Sequence, residues 1–128
     1  MREFRAWIMP YEMMVEVQRI NFDVQTVEVQ IGEGDLYEFD FEEIELMRST
    51  GLKDKNGVEI YEGDILHRES HCGWYVGFEN GAFRRIPLNC IQRINWKHYT
   101  LQQAGLDTWE VIGNIHENPE LLEELNAK

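Results

Sequence analysis

The chain has 128 residues, 43% of them hydrophobic and 12% aromatic, which is enough for one core without disulfide staples and too apolar for wholesale disorder. Its formal net charge of −12 repels phosphate backbones at long range and disfavours non-specific nucleic-acid binding by the surface as a whole. Two cysteines, Cys72 and Cys90, are too few for a disulfide framework, and there is no apolar leader or membrane-length apolar run, so the expectation is a cytoplasmic protein with free thiols and no membrane contact.

Strand signals dominate the chain from its start. Phe4 to Ile8 is short and apolar, Pro10-Tyr11-Glu12 reads as a turn, and Met13 to Val17 reads as the partner strand of a hairpin. Phe22 to Ile31 is rich in valine, with Val27, Val29 and Ile31 on one side and Glu28 and Gln30 on the other. Gly32-Glu33-Gly34-Asp35 is a turn cluster whose glycines can supply positive φ. Leu36 to Phe41 alternates again, with Tyr37, Phe39 and Phe41 opposite Glu38 and Asp40. Ile44 to Thr50 is read as a strand that Gly51 ends, although Glu42 and Glu43 favour helix.

Two Asn-Gly dipeptides punctuate the second half. Asn56-Gly57 closes the turn Lys53 to Gly57 ahead of short strands at Val58 to Tyr61 and Ile65 to His67, bent about Gly63. Asn80-Gly81 joins Trp74 to Glu79 with Ala82 to Ile86 as a second hairpin. Ile91 to Trp96 is a further strand candidate and Thr100 to Ala104 a brief helical turn. Trp109 to Ile115 is a strand that Gly113 weakens or bulges. Asn118 as cap, Pro119 at the first helical position, Glu120, Glu123 and Glu124 near the positive end of the dipole, and the stripe Leu121, Leu122 and Leu125 predict a short C-terminal helix. The fold expected is mainly β, a single domain over residues 1–128, built as a barrel-like or sandwich arrangement of short antiparallel strands with that helix.

Charge is segregated along the chain. Between Asn21 and Met47 there is no lysine or arginine, but there are Asp23, Glu28, Glu33, Asp35, Glu38, Asp40, Glu42, Glu43 and Glu45. Between Asn80 and Leu106 there is no acid, but there are Arg84, Arg85, Arg93 and Lys97, with His98. Such runs are most often solvated strand faces. The functional readings are an acidic partner surface centred on Glu38, Asp40, Glu42 and Glu43, or a nucleic-acid surface that pairs Arg84, Arg85, Arg93 and Lys97 with Phe83, Trp96 and Tyr99 for stacking. Acidic and basic regions on one chain can also complement each other between copies, which leaves self-association open.

Signals for chemistry are weak. His67 and His71 are four apart and precede Cys72, but in strand and loop surroundings that spacing does not form a metal site, and no Cys-x-x-Cys occurs. Glu59, Glu62 and Asp64 cluster about Gly63 with no nucleophile or phosphate cradle nearby, so a turn whose Asp64 accepts backbone hydrogen bonds outweighs a carboxylate enzyme site. No nucleophile elbow, P-loop or dinucleotide fingerprint is present, and no catalytic residue, metal or cofactor is expected.

Three stretches carry a family resemblance. They are Arg5-Ala6-Trp7 with Met13 or Met14 following, the long run from Leu46 through Gly51-Leu52-Lys53-Asp54-Lys55-Asn56-Gly57 to Ile65, and Val111-Ile112-Gly113-Asn114-Ile115-His116-Glu117-Asn118-Pro119-Glu120-Leu121-Leu122. In this order they resemble the YopX family. His116 stands where an aromatic residue is common, and residues 68–107 carry little signature. The resemblance implies a compact, predominantly β fold and a phage or prophage origin. It implies no reaction, because the family is without an assigned activity, and its shared glycines and apolar residues have structural explanations. The function expected is that of an accessory protein that binds a host or phage macromolecule through the acidic segment.

Overall fold

The computed structural model describes residues 3–68, 73–87, 100–101 and 108–121. Ten strands lie within them, all paired antiparallel where a register is defined, so the mainly-β expectation holds. The chain divides into two compact units, residues 1–49 and 50–128.

The first unit contains β1 (Phe4–Ile8), β2 (Met13–Asn21), β3 (Thr26–Gln30), β4 (Leu36–Asp40) and the beginning of β5 (Ile44–Lys53), in the spatial order β4-β3-β2-β1-β5. A single turn of 3-10 helix, Phe41–Glu43, joins β4 to β5. Laid flat, β4 and β5 would be about 19 Å apart across four strand spacings. The four residue-to-residue steps from Asp40 to Ile44 reach only about 14 Å. The sheet must therefore curl, and two features permit it. The pairing of β2 with β3 shifts between Val17 and Arg19, a bulge that bends the long strand. At the closing corner, Met9 N–H donates to Glu43 O and Phe41 N–H donates to Gln25 O, both at 2.9 Å. The inner face buries Ala6, Ile8, Val17, Val27, Val29, Phe39 and Ile44. Among the described residues the curled sheet is not closed, and β4 is its terminal strand.

The second unit holds β6 (Glu59–Tyr61), β7 (Asp64–His67), β8 (Trp74–Glu79), β9 (Ala82–Pro87) and β10 (Glu110–Asn114). A four-stranded sheet runs β10-β7-β8-β9, and β6 lies beside β5. Its core is Ile60, Leu66, Trp74, Val76, Leu101 and Trp109, with the two indoles edge-to-face at 6.1 Å.

Several boundaries differ from the sequence expectation. Residues 22–25 form a turn and not the start of a strand, because Asn21 Oδ1 accepts from Asp23 N–H and Val24 N–H and Gln25 takes φ 58°. β5 continues through Gly51 at φ 78° to Lys53. Thr50 Oγ1 bridges the irregularity, donating to Ile60 O at 2.7 Å and accepting from Leu52 N–H at 3.1 Å. The Asn80-Gly81 hairpin forms as expected, with φ 51° and 78° at the two tip residues. The C-terminal helix begins at Pro119, directly after Asn118 as expected, and Leu121 N–H donates to Asn118 O at 3.0 Å. The Asn118 side-chain Oδ1 accepts from Asn114 N–H at 3.1 Å, which ties the start of the helix to the end of β10. The strand expected at Ile91 to Trp96 and the later leucines of the helix, Leu122 and Leu125, lie outside the described residues.

Candidate partner-binding surface

The acidic segment folds within the first unit, and β4 presents it. Glu38 and Asp40 share one side of the strand and Tyr37 and Phe39 the other, as the period of two requires. Glu38, Asp40 and Glu42 are exposed. Glu43 is half-buried and has a structural task, since its Oε1 accepts from Asp40 N–H at 3.0 Å across the 3-10 turn. Glu38 stands directly opposite Glu28 on β3, which in turn faces Arg19 on β2. Two carboxylates in register destabilise a strand pair, so the acidic side of β4 costs the sheet some stability.

An apolar groove of about 640 Å³ adjoins this acidic side and is lined by Tyr11, Met13, Ile31, Tyr37, Glu38 and Phe39. Tyr11 is 66% exposed, Leu36 56% and Tyr37 47%, large exposed side chains within one unit. Tyr11 packs edge-to-face on Phe39 at 5.9 Å, which holds the turn Pro10-Tyr11-Glu12 over the end of the groove. The left-handed φ of 50° at Glu12 sets that turn. The sequence pattern sets Tyr37, Phe39 and Phe41 among the acids but gives no sign that Tyr11, Met13 and Ile31 join them. Tyr11 and Met13 belong to the turn and strand that precede the acidic run, and only the curl of the sheet brings them beside β4.

The basic segment belongs to the second unit. Arg84 Nε donates to Glu79 O at 3.0 Å, which ties the guanidinium to its own hairpin. The Arg85 guanidinium lies 4.3 Å from the Trp74 ring centre and 5.0 Å from that of Trp109, and Arg68 lies 4.6 Å from the Trp109 ring. These guanidiniums stack on core tryptophans. Arg93 and Lys97 lie outside the described residues, as do His71, Cys72 and Cys90. No group of three or more metal-type side chains gathers among the described residues.

Two buried aspartates, Asp64 and Asp54, hold turns together. Asp64 is 1% exposed and its Oδ2 accepts from Tyr61 N–H at 2.8 Å, closing the turn about Gly63 (φ 87°). Asp54, to which sequence reading gave no role, organises more. Its Oδ1 accepts from Asn56 N–H at 2.8 Å and Val58 N–H at 2.9 Å, and its Oδ2 accepts from Val111 N–H at 2.8 Å on β10. Burial pushes the Asp54 carboxyl upward, but the three backbone N–H donors and the neighbouring Lys55 ammonium outweigh it and hold the pKa below the ordinary 3.8. The available signal was an Asp two residues before Asn-Gly, the position from which a carboxylate caps a turn.

Asn114 plays the same part at the end of β10. Its Oδ1 accepts from His116 N–H at 3.0 Å and Glu117 N–H at 2.8 Å, while its Nδ2 donates to Glu117 Oε1 at 3.0 Å. Gly113 leaves room for this arrangement, because a Cβ there would lie 2.4 Å from Asn118 Oδ1.

Among the described residues no helix is long and apolar enough to cross a membrane. Comparison with curated proteins finds no match. The crystal structure of protein EF1440 from Enterococcus faecalis is similar, with 31% identity, a TM-score of 0.61, and coverage of 94% of this chain and 96% of that one. The family model described as YopX protein matches residues 3–123, across both units and both polar turns organised by Asp54 and Asn114. On that match the chain belongs to the YopX family.

Proposed function

We propose that this is a phage- or prophage-encoded accessory protein of the host cytoplasm that acts by binding a positively charged host or phage macromolecule through the acidic strand β4 and the turn after it. The observation that carries the reading is the pairing, on one unit, of exposed Glu38, Asp40 and Glu42 with the exposed apolar surface of Tyr11, Leu36 and Tyr37. Charge brings a basic partner in and sets its register, and apolar area retains it. The engagement of Arg84 and Arg85 within their own unit weighs against the basic segment as the main contact surface. The commitment of Asp64 to its turn weighs against a carboxylate reaction centre.

The test is affinity capture from bacterial lysate, nuclease-treated, with the wild type and with a variant carrying Glu38→Gln, Asp40→Asn and Glu42→Gln. A basic partner retained by the wild type and lost from the variant supports the assignment. Partners retained equally by both would move the contact surface elsewhere.

A further inference from the structure

β4 offers more than charge, because the hydrogen-bond ladder of its sheet determines which backbone groups lie at the open edge. Ile31 N–H donates to Asp35 O at 3.1 Å, and Phe41 N–H donates to Gln25 O at 2.9 Å. Between those bonds β3 and β4 pair in unbroken register from Gln30↔Leu36 to Thr26↔Asp40. In an antiparallel ladder, hydrogen-bonded and non-hydrogen-bonded pairs alternate. Tyr37 and Phe39 therefore turn their N–H and C=O groups toward β3. Leu36, Glu38 and Asp40 turn theirs outward. Asp40 N–H is taken by Glu43 Oε1, which leaves the edge groups of Leu36 and Glu38 aimed away from the sheet.

We infer that β4 accepts an extended segment of a partner protein as an added strand, and that this segment alternates basic and apolar residues. The inference rests on the partner-binding reading above and names the kind of partner and the mode of docking. Strand addition supplies main-chain bonds from the edge and specificity from alternate side chains. On the groove side the incoming strand meets Tyr37 and Phe39, with Met13 and Ile31 behind them, and this surface takes apolar side chains. On the opposite side it meets Glu38 and Asp40, and there basic side chains form cross-strand pairs. A period of two in the partner follows from the period of two in β4. A second copy of β4 is disfavoured as the occupant, because it would set Glu38 and Asp40 against carboxylates of the same kind.

The position of Glu38 gives a clean variant. Its N–H lies outside the ladder, so Glu38→Pro removes one edge donor and no bond to β3, a placement that edge strands tolerate. Glu38→Gln removes the charge and keeps the donor. The probe is a synthetic heptapeptide of alternating lysine and valine. The control has the same composition with the alternation broken. Binding is read from fluorescence anisotropy of labelled peptide and from amide hydrogen exchange of the full chain, with far-UV circular dichroism and thermal unfolding verifying each variant's fold.

The expected result has three parts. The alternating peptide slows exchange at Leu36 and Glu38, the control binds more weakly, and Glu38→Pro binds about fivefold or more weakly than Glu38→Gln, the loss of about one hydrogen bond. Unchanged exchange at Leu36 and Glu38 at millimolar peptide overturns the inference. So does equal binding of the two peptides, which would indicate charge attraction alone and leave the acidic surface standing without strand addition. If Glu38→Pro unfolds, the peptide pair and the exchange pattern of the wild type still decide. Concentration-dependent self-association that protects the same two amides would replace the peptide by a second copy and overturn it as well.

Discussion

Asp54 shows how much one buried carboxylate can organise. Three backbone N–H groups converge on it from its own turn and from β10, and each would otherwise need a partner in a site that is 6% exposed. Asp54→Asn is expected to lower stability by about 1–3 kcal/mol, since an amide offers one acceptor oxygen where the carboxylate offers two. Denaturant unfolding at pH 7 measures it. The pH dependence has a definite sign. A carboxyl whose folded pKa lies below its unfolded value contributes stability above about pH 4, and that contribution is lost as pH falls through the depressed value. The gap between wild type and Asp54→Asn should therefore narrow as the pH is lowered below 4. A gap constant from pH 7 to pH 2.5 would mean that the charge is not what the turn uses. At Gly113 the argument is steric. Gly113→Ala displaces the Asn118 amide, and with it the bond to Asn114 N–H. The expected cost is about 1–3 kcal/mol, and a much smaller cost of Gly113→Ala in an Asn118→Gly background, which already lacks the amide, would identify the clash.

At the scale of elements, the glycines that matter are those in left-handed turns. The β8–β9 hairpin has both tip residues at positive φ, so Gly81→Ala should destabilise by about 1 kcal/mol although nothing lies within 4 Å of the added methyl. Thermal unfolding reads this directly, and no shift would mean that the hairpin tip relaxes. Asn-Gly announces such a turn in the sequence, because the backbone requirement is local. The turn at residues 22–25 was hidden for the opposite reason. Phe22 and Val24 read as strand residues by type, yet they are 72% and 61% exposed, and the Asn21 side-chain oxygen Oδ1 bends the chain beneath them. In the same way Gly51 read as a stop. Thr50, bonded to a strand that arrives later in the chain, carries β5 past it.

At the scale of the whole molecule, the two units have separate cores, one lined by Ile8 and Val29 and the other by Leu66 and Trp109. The boundary between them falls inside β5 and not in a linker. A single cooperative transition is the expected behaviour of one domain. Urea unfolding followed by circular dichroism and by tryptophan fluorescence should give coincident curves, and separated midpoints would assign the units to two domains. Ile8→Ala and Leu66→Ala should each cost about 2–5 kcal/mol. If the proposed binding is electrostatic in approach and apolar in retention, raising salt should slow association more than it speeds dissociation, as surface plasmon resonance would show.

The sequence by itself determined the strand-rich class, the Asn-Gly turns, the start of the C-terminal helix and the family, because these rest on period, on local backbone requirements and on long motifs. It also located the acid, since a run without lysine or arginine is visible in one dimension. It could not place the apolar groove beside that acid, nor distinguish Arg85 stacked on Trp74 from an arginine free to meet a partner. Those depend on which distant strands become neighbours. In a curled antiparallel sheet the bulge in β2 and the short corner after Asp40 decide that, and neither reveals its consequence until the ladder is assembled.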